Sequence, residues 1–117
     1  MSRPYQITRH STNGVVRLAL AGEFDVAGHD DVWHAILGAL REDITELVID
    51  LSGVTFFDSG AVGILLAGRN AAGRAGRIYR VIDPPPVVRR VLETNGLLQL
   101  LTEPAAPSAA PTSPGPA

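Results

Sequence analysis

Asp58-Ser59-Gly60-Ala61 follows the apolar run Leu47-Val48-Ile49-Asp50-Leu51 and leads into a second apolar segment beginning at Val62. A strand that ends in a small-residue turn carrying a serine, and then opens into a helix, exposes that hydroxyl where a phosphate sits well. Unpaired backbone N–H groups at the helix start and the aligned peptide dipoles both favour an anion there. Ser59 is therefore a candidate phosphoacceptor. The structural alternative is a helix N-cap, a role for which serine is among the preferred residues. Position alone favours the cap.

A nucleophilic Ser59 would need a general base nearby and an acid to orient that base. Phe57-Asp58-Ser59-Gly60-Ala61 is not the G-x-S-x-G elbow of hydrolases, and His10, His29 and His34 show no evident claim on the hydroxyl. His29, Asp30, Asp31 and His34 do gather at one predicted helix start. Their imidazoles, however, are spaced i to i+5 and point in different directions, while the two aspartates suit the helix dipole without any metal. No G-x-x-x-x-G-K-[ST] nucleotide loop occurs. These residues predict no catalytic group, no metal and no cofactor.

The elements that must position Ser59 read as alternating strands and helices. Val16, Leu18 and Leu20 alternate with Val15, Arg17 and Ala19, the period of a strand with one buried face. A shorter strand around Tyr5 to Arg9 can pair with it antiparallel across Asn13-Gly14, a strong tight-turn signal. Gly22-Glu23-Phe24-Asp25 then leaves the strand. From about His29, Val32, Ala35, Ile36, Ala39 and Leu40 recur at helical spacing, with Trp33 packed beside that stripe.

Leu47 to Leu51 reads as a central strand, with Asp50 as a polar residue at its solvated face or end. A helix follows from Ser59 to Ala72, in which Gly63 and Gly68 mark close approach of the helix backbone to the sheet. A strand runs from about Arg77 to Ile82. The third helix holds Val87, Val88, Val91 and Leu92 and stops at Asn95-Gly96, where a left-handed Gly96 would bring Leu97 onto Leu92. Leu98 to Leu101 read as a last short strand or packed turn. Residues 104–117 are almost wholly Pro, Ala and Ser and are expected to form a disordered tail behind a domain of residues 1–103.

The 117 residues are 45% hydrophobic, enough for one folded domain with a modest core. Cysteine is absent, so disulfides and thiolate chemistry are excluded. The first residues lack the apolar centre of a signal peptide, and the apolar segment from Ser59 to Gly68 is too short to span a bilayer. A cytoplasmic protein with no membrane span is expected. A net charge of −2 gives no global field for nucleic acid. Nine of the twelve acids lie at or before Asp58, and six of the ten arginines fall between Arg69 and Arg90, which could mark an acidic and a basic docking surface or ordinary solvated faces.

Alternating elements imply an α/β fold with a mixed, mostly parallel sheet, in which sites collect at the carboxyl ends of strands. The order of the pieces resembles the STAS-domain family, and within it the bacterial anti-sigma factor antagonists. Three stretches carry the resemblance: Leu20-Ala21-Gly22-Glu23-Phe24-Asp25, the segment from Val48 to Ser59, and Pro86 to Leu92 with Gly96-Leu97. The resemblance implies a partner switch. The unphosphorylated protein binds an anti-sigma factor, often a serine kinase of the GHKL type; phosphorylation of the serine of the Asp-Ser motif, here Ser59, ends the interaction, and a phosphatase resets it. It also implies a docking face containing Glu23, Asp25, Asp58, Ser59, Gly60, Val62 and Gly63. Gly60 and Ala61 depart from the family's Ser/Thr-Gly at those two places. That departure favours the alternative of a STAS scaffold, sensor or assembly subunit that works without phosphorylation.

Overall fold

The computed structural model describes residues 4–105. Its elements follow the order β1 (Tyr5–Thr12), β2 (Val15–Phe24), α1 (Val26–Leu40), β3 (Glu46–Phe57), α2 (Ser59–Arg74), β4 (Ile78–Ile82), α3 (Pro86–Thr94) and α4 (Leu98–Thr102). The four strands lie in one sheet in sequence order. β1 and β2 are antiparallel around Asn13 and Gly14, both with positive φ (52° and 80°), the backbone demanded by a two-residue hairpin turn that matches strand twist. β2, β3 and β4 are mutually parallel, so the sheet is mixed and mostly parallel as the alternation predicts.

Val16, Leu18 and Leu20 of β2, Leu47, Ile49 and Leu51 of β3, and Tyr79 and Val81 of β4 point to one face. They join Val32 and Ile36 of α1, Leu65 of α2, Val88 and Leu92 of α3 and Leu101 of α4 in a single core cluster. The opposite face carries ion pairs between strands, Arg17–Asp50 at 2.8 Å and Arg80–Glu46 at 3.1 Å. The register sets Arg17 and Arg80 on either side of Val48. Their aliphatic stems account for the burial of Val48 on a face no helix needs to cover.

β3 runs well past the predicted Leu51 because it bulges twice. Ala19 pairs with Asp50 but Ala21 with Gly53, and Gly22 pairs with Val54 but Glu23 with Phe56. Each extra residue resets which side chains face inward, so Val54 and Phe57 are buried where strict alternation would not place both. Asp50 is correspondingly not a solvated strand-end residue. It is 7% exposed, it accepts from the Ser52 N–H at 2.9 Å beside the first bulge, and it is paired with Arg17. Burial raises its pKa, but the Ser52 and Arg17 hydrogen bonds outweigh that and hold it below the usual carboxylate value.

One further boundary differs from expectation. α1 starts at Val26, three residues before His29, because Asp25 caps it by accepting from the Ala27 N–H at 3.0 Å. Leu98–Thr102 is one helical turn, which decides between the two expectations in favour of a packed turn over a strand, with its Leu101 buried. The end of α3 does form as predicted. Gly96 has φ +70°, and the Leu97 N–H bonds back to the Leu92 carbonyl at 2.8 Å.

Gly68 also meets its expectation: a Cβ there would lie 3.0 Å from the Tyr79 hydroxyl and 3.1 Å from Ile36 Cδ1. Gly63 does not, since it is exposed with open space around it. The Tyr79 hydroxyl is buried and donates to the Leu65 carbonyl at 2.9 Å, tying β4 to α2, and burial drives its pKa upward. Tyr79→Phe leaves that carbonyl without this partner and should lower stability by about 1 kcal/mol. Urea unfolding measures it, and an unchanged midpoint would remove the hydrogen bond from the account.

At the free edge of β4, Ala105 forms an antiparallel bridge with Tyr79, donating at 2.9 Å and accepting at 3.2 Å. The rest of the expected tail, residues 106–117, lies outside the described residues.

Candidate functional site

Asp58, not Ser59, caps α2. With extended backbone (φ −87°, ψ 175°) its Oδ1 accepts from the Ala61 N–H at 2.8 Å, and its carbonyl accepts from the Val62 N–H at 3.2 Å. Aspartate and serine are comparable caps. Here the chain enters the helix one residue earlier than a Ser59 cap would require. Ser59 is thus the first helical residue, exposed, with its hydroxyl released from capping.

The turn is fastened from below. The Asp58 N–H donates to the Phe24 carbonyl at 3.3 Å, and Glu23 and Phe24 lie opposite Phe56 and Phe57 in the parallel register. The ends of β2 and β3 and the starts of α1 and α2 therefore meet at one edge of the sheet, the carboxyl end expected for a site. Glu23, Asp25, Ser59 and Gly63 are exposed, while Asp58 and Gly60 are half-buried. Val62 departs from the predicted docking set: at 5% exposure its side chain belongs to the core, one helical step away from the surface that Ser59 occupies.

Two apolar residues at this edge were not singled out in the sequence. Val26 is 77% exposed beside the Asp25 cap, and Phe56 is 47% exposed on the outer side of β3. The Phe56-Phe57 doublet held a signal for the second, since adjacent strand residues face opposite ways and only one of them can join the helix-covered core face. Val26 is equally unusual, a large apolar side chain in the first position of a helix and left mostly exposed among the described residues.

His29 is the third unforeseen residue. Rather than an exposed or cap-like histidine, it places Nε2 2.8 Å from Asp58 Oδ1, with about a fifth of its side chain exposed. Its ring lies so close to Gly60 that a Cβ at residue 60 would sit 2.2 Å from His29 Cε1. Partial burial raises the Asp58 pKa, but hydrogen bonds from His29 and from the Ala61 N–H favour the carboxylate and bring it below the ordinary value.

A depressed carboxylate pKa stabilises the fold above the unfolded value of about 3.9 and loses that contribution as pH falls through the folded value. Asp58→Asn should accordingly melt below the wild type at pH 7, with the difference shrinking below about pH 4. Thermal unfolding across that range tests it; a difference independent of pH would exclude ionisation as the source. Among the described residues no group of three or more His, Asp or Glu side chains is placed to hold a metal. No helix among them is long and apolar enough to cross a membrane.

The chain as a whole has counterparts among known proteins. The family profile described as "Mlab, STAS domain" matches residues 7–102. The chain belongs to the STAS-domain family. RsfB of Mycobacterium tuberculosis, an anti-sigma-F factor antagonist, is 34% identical to this STAS domain over 99 residues, which are 83% of this chain and 80% of RsfB. The crystal structure of an anti-sigma factor antagonist from Mycobacterium paratuberculosis superposes with a TM-score of 0.75 at 27% identity, covering 86% of this chain and 87% of that one. The Bacillus cell fate determinant SpoIIAA in its phosphorylated form superposes with a TM-score of 0.64 at 25% identity, covering 91% and 95%.

Proposed function

We propose that this STAS domain is an anti-sigma factor antagonist, switched off by phosphorylation of Ser59. Its docking face would comprise Glu23, Asp25, Val26, Phe56, Asp58, Ser59, Gly60 and Gly63. The observation that carries the proposal is the exposure of Ser59 on the first turn of α2, with the capping duty taken by Asp58. Relatives named as anti-sigma factor antagonists supply the class of partner, and one of them is known in a phosphorylated form.

In the switching step the Ser59 Oγ attacks the γ-phosphorus of a nucleoside triphosphate held by a serine kinase of the GHKL type. The bond from that phosphorus to the bridging oxygen breaks, the diphosphate leaves, and the hydroxyl proton passes to the kinase or to water. A phosphatase returns the hydroxyl by hydrolysis. The work of this chain is to present the hydroxyl and surround it with small and apolar surface that a partner covers while it is uncharged. The setting would be the cytoplasm, where sigma factors act.

The test is a pull-down from native lysate with wild-type, Ser59→Ala and Ser59→Asp baits, read by mass spectrometry. Recovery of an anti-sigma factor by wild type and Ser59→Ala, but not by Ser59→Asp, supports the switch. Equal recovery by all three would leave a phosphorylation-independent STAS module. That second reading draws on Gly60 and Ala61, which stand where the family has Ser/Thr-Gly, so that no hydroxyl follows Ser59.

A further inference from the structure

We infer that His29 is a positioning residue of the Ser59 site, and that Gly60 is glycine in order to admit it. The inference rests on the reading of Ser59 as phosphoacceptor and concerns how its turn is held. Three contacts converge on one carboxylate oxygen and its neighbour. Asp58 Oδ1 lies 2.8 Å from His29 Nε2 and accepts from the Ala61 N–H at 2.8 Å, while Cε1 of the imidazole occupies the space where a Cβ of residue 60 would lie. Because Asp58 is a carboxylate, Nε2 carries the proton of this hydrogen bond and donates it. The ring thereby joins α1 to the first turn of α2 across the flank of Ser59.

The consequence for Ser59 is chemical. An aspartate one residue before a reacting hydroxyl can turn and accept from that hydroxyl, or set its charge against an incoming triphosphate. With His29 in place two hydrogen bonds on Oδ1, one from the helix and one from α1, hold the carboxylate against turning toward the Ser59 hydroxyl. The same geometry makes residue 60 a gate. Any Cβ there collides with the ring at 2.2 Å from Cε1 and 2.9 Å from Nε2. A side-chain ring yields more easily than backbone, so a larger residue 60 expels the imidazole and releases Asp58. His29 and Gly60 are thus a complementary pair, one residue large because the other is small.

The experiment uses the full chain with His29→Ala, His29→Gln, Gly60→Ala and the double variant His29→Ala/Gly60→Ala. Amide hydrogen exchange by NMR follows the Ala61 N–H, and single-turnover assays with the kinase recovered by pull-down follow phosphorylation of Ser59. His29→Ala and Gly60→Ala should each speed Ala61 exchange about tenfold and slow the phosphorylation step about tenfold, with little change in KM. The double variant should be no worse than either single one, because both remove the same contact. His29→Gln, whose carboxamide can donate to Asp58, should restore both readouts.

Unchanged Ala61 exchange in Gly60→Ala overturns the pairing of residues 29 and 60. Faster exchange with unchanged phosphorylation reduces His29 to a structural contact and overturns its positioning role. If wild-type Ser59 accepts no phosphate, the positioning role falls together with the phosphoacceptor reading. An exchange pattern still as described then places the fault in that reading and not in the contact.

Discussion

Phosphorylated Ser59 should bind the anti-sigma partner at least about thirtyfold more weakly than the unmodified chain, whereas Ser59→Ala should bind within a few-fold of it. The magnitude follows from what a partner must cover. Ser59 is exposed at the sheet edge that also carries Asp58, Glu23 and Asp25 and the exposed apolar residues Val26 and Phe56. A phosphate adds about −1.5 to −2 charges to an edge that is already acidic. Leaving one charge buried without a partner at an interface costs about 2–5 kcal/mol, which corresponds to roughly thirtyfold to several thousandfold in affinity. Removing a hydroxyl that makes no capping bond carries no comparable cost. Titration calorimetry with the purified partner measures both values, and Ser59→Asp, with one charge instead of two, should fall between them. A phosphorylated form that binds as tightly as the unmodified one would end the switch hypothesis.

The same edge shows where residue pattern suffices and where it does not. The β1–β2 hairpin, the alternation of β2 and the Schellman ending of α3 depend on contacts within a few residues, and their signals are local: Asn13-Gly14, period-two burial, Gly96-Leu97. The second half of β3 is set by register against β2. Two bulges shift the inward phase from Leu47, Ile49 and Leu51 to Val54 and Phe57, and no single periodicity describes both halves. Leu98 to Leu101 illustrate a different limit, because so short an apolar run has the same appearance in a strand and in one helical turn.

For the site, the Asp58-Ser59 pair was legible but the division of labour within it was not. Both residues are good caps, and the choice depends on where the bulged strand delivers the chain into α2. His29 was legible only as a histidine near a helix start. Its partner Asp58 is 29 residues away and is brought near by the packing of α1 against α2. The one local hint was Gly60, a glycine inside the first turn of a helix, where its low propensity calls for a close neighbour as the reason.

Phe24→Ala should be the most destabilising single change near the site, at about 3–5 kcal/mol, the range for deleting a buried aromatic side chain. Phe24 is fully buried. Its ring lies 5.1 Å from that of Tyr5 and 6.2 Å from that of Phe57, and Gly28 of α1 packs so closely on it that a Cβ there would sit 3.1 Å from the ring. Three elements thus rest on one side chain, β1, the end of β3 and α1, while the Phe24 backbone carbonyl separately accepts from the Asp58 N–H at the start of α2. At about 4–8 °C per kcal/mol for a domain of this size, the melting temperature should fall by roughly 12 °C or more. The loss should also be felt at the docking edge before the protein unfolds globally, because the ring supports the turn that carries Ser59. Hydrogen exchange under native conditions should show Asp58 to Val62 opening more often, while amides of α3 exchange only as fast as the drop in global stability requires. If all amides accelerate by the same factor, Phe24 is a core residue like any other and the docking edge has no local support of its own.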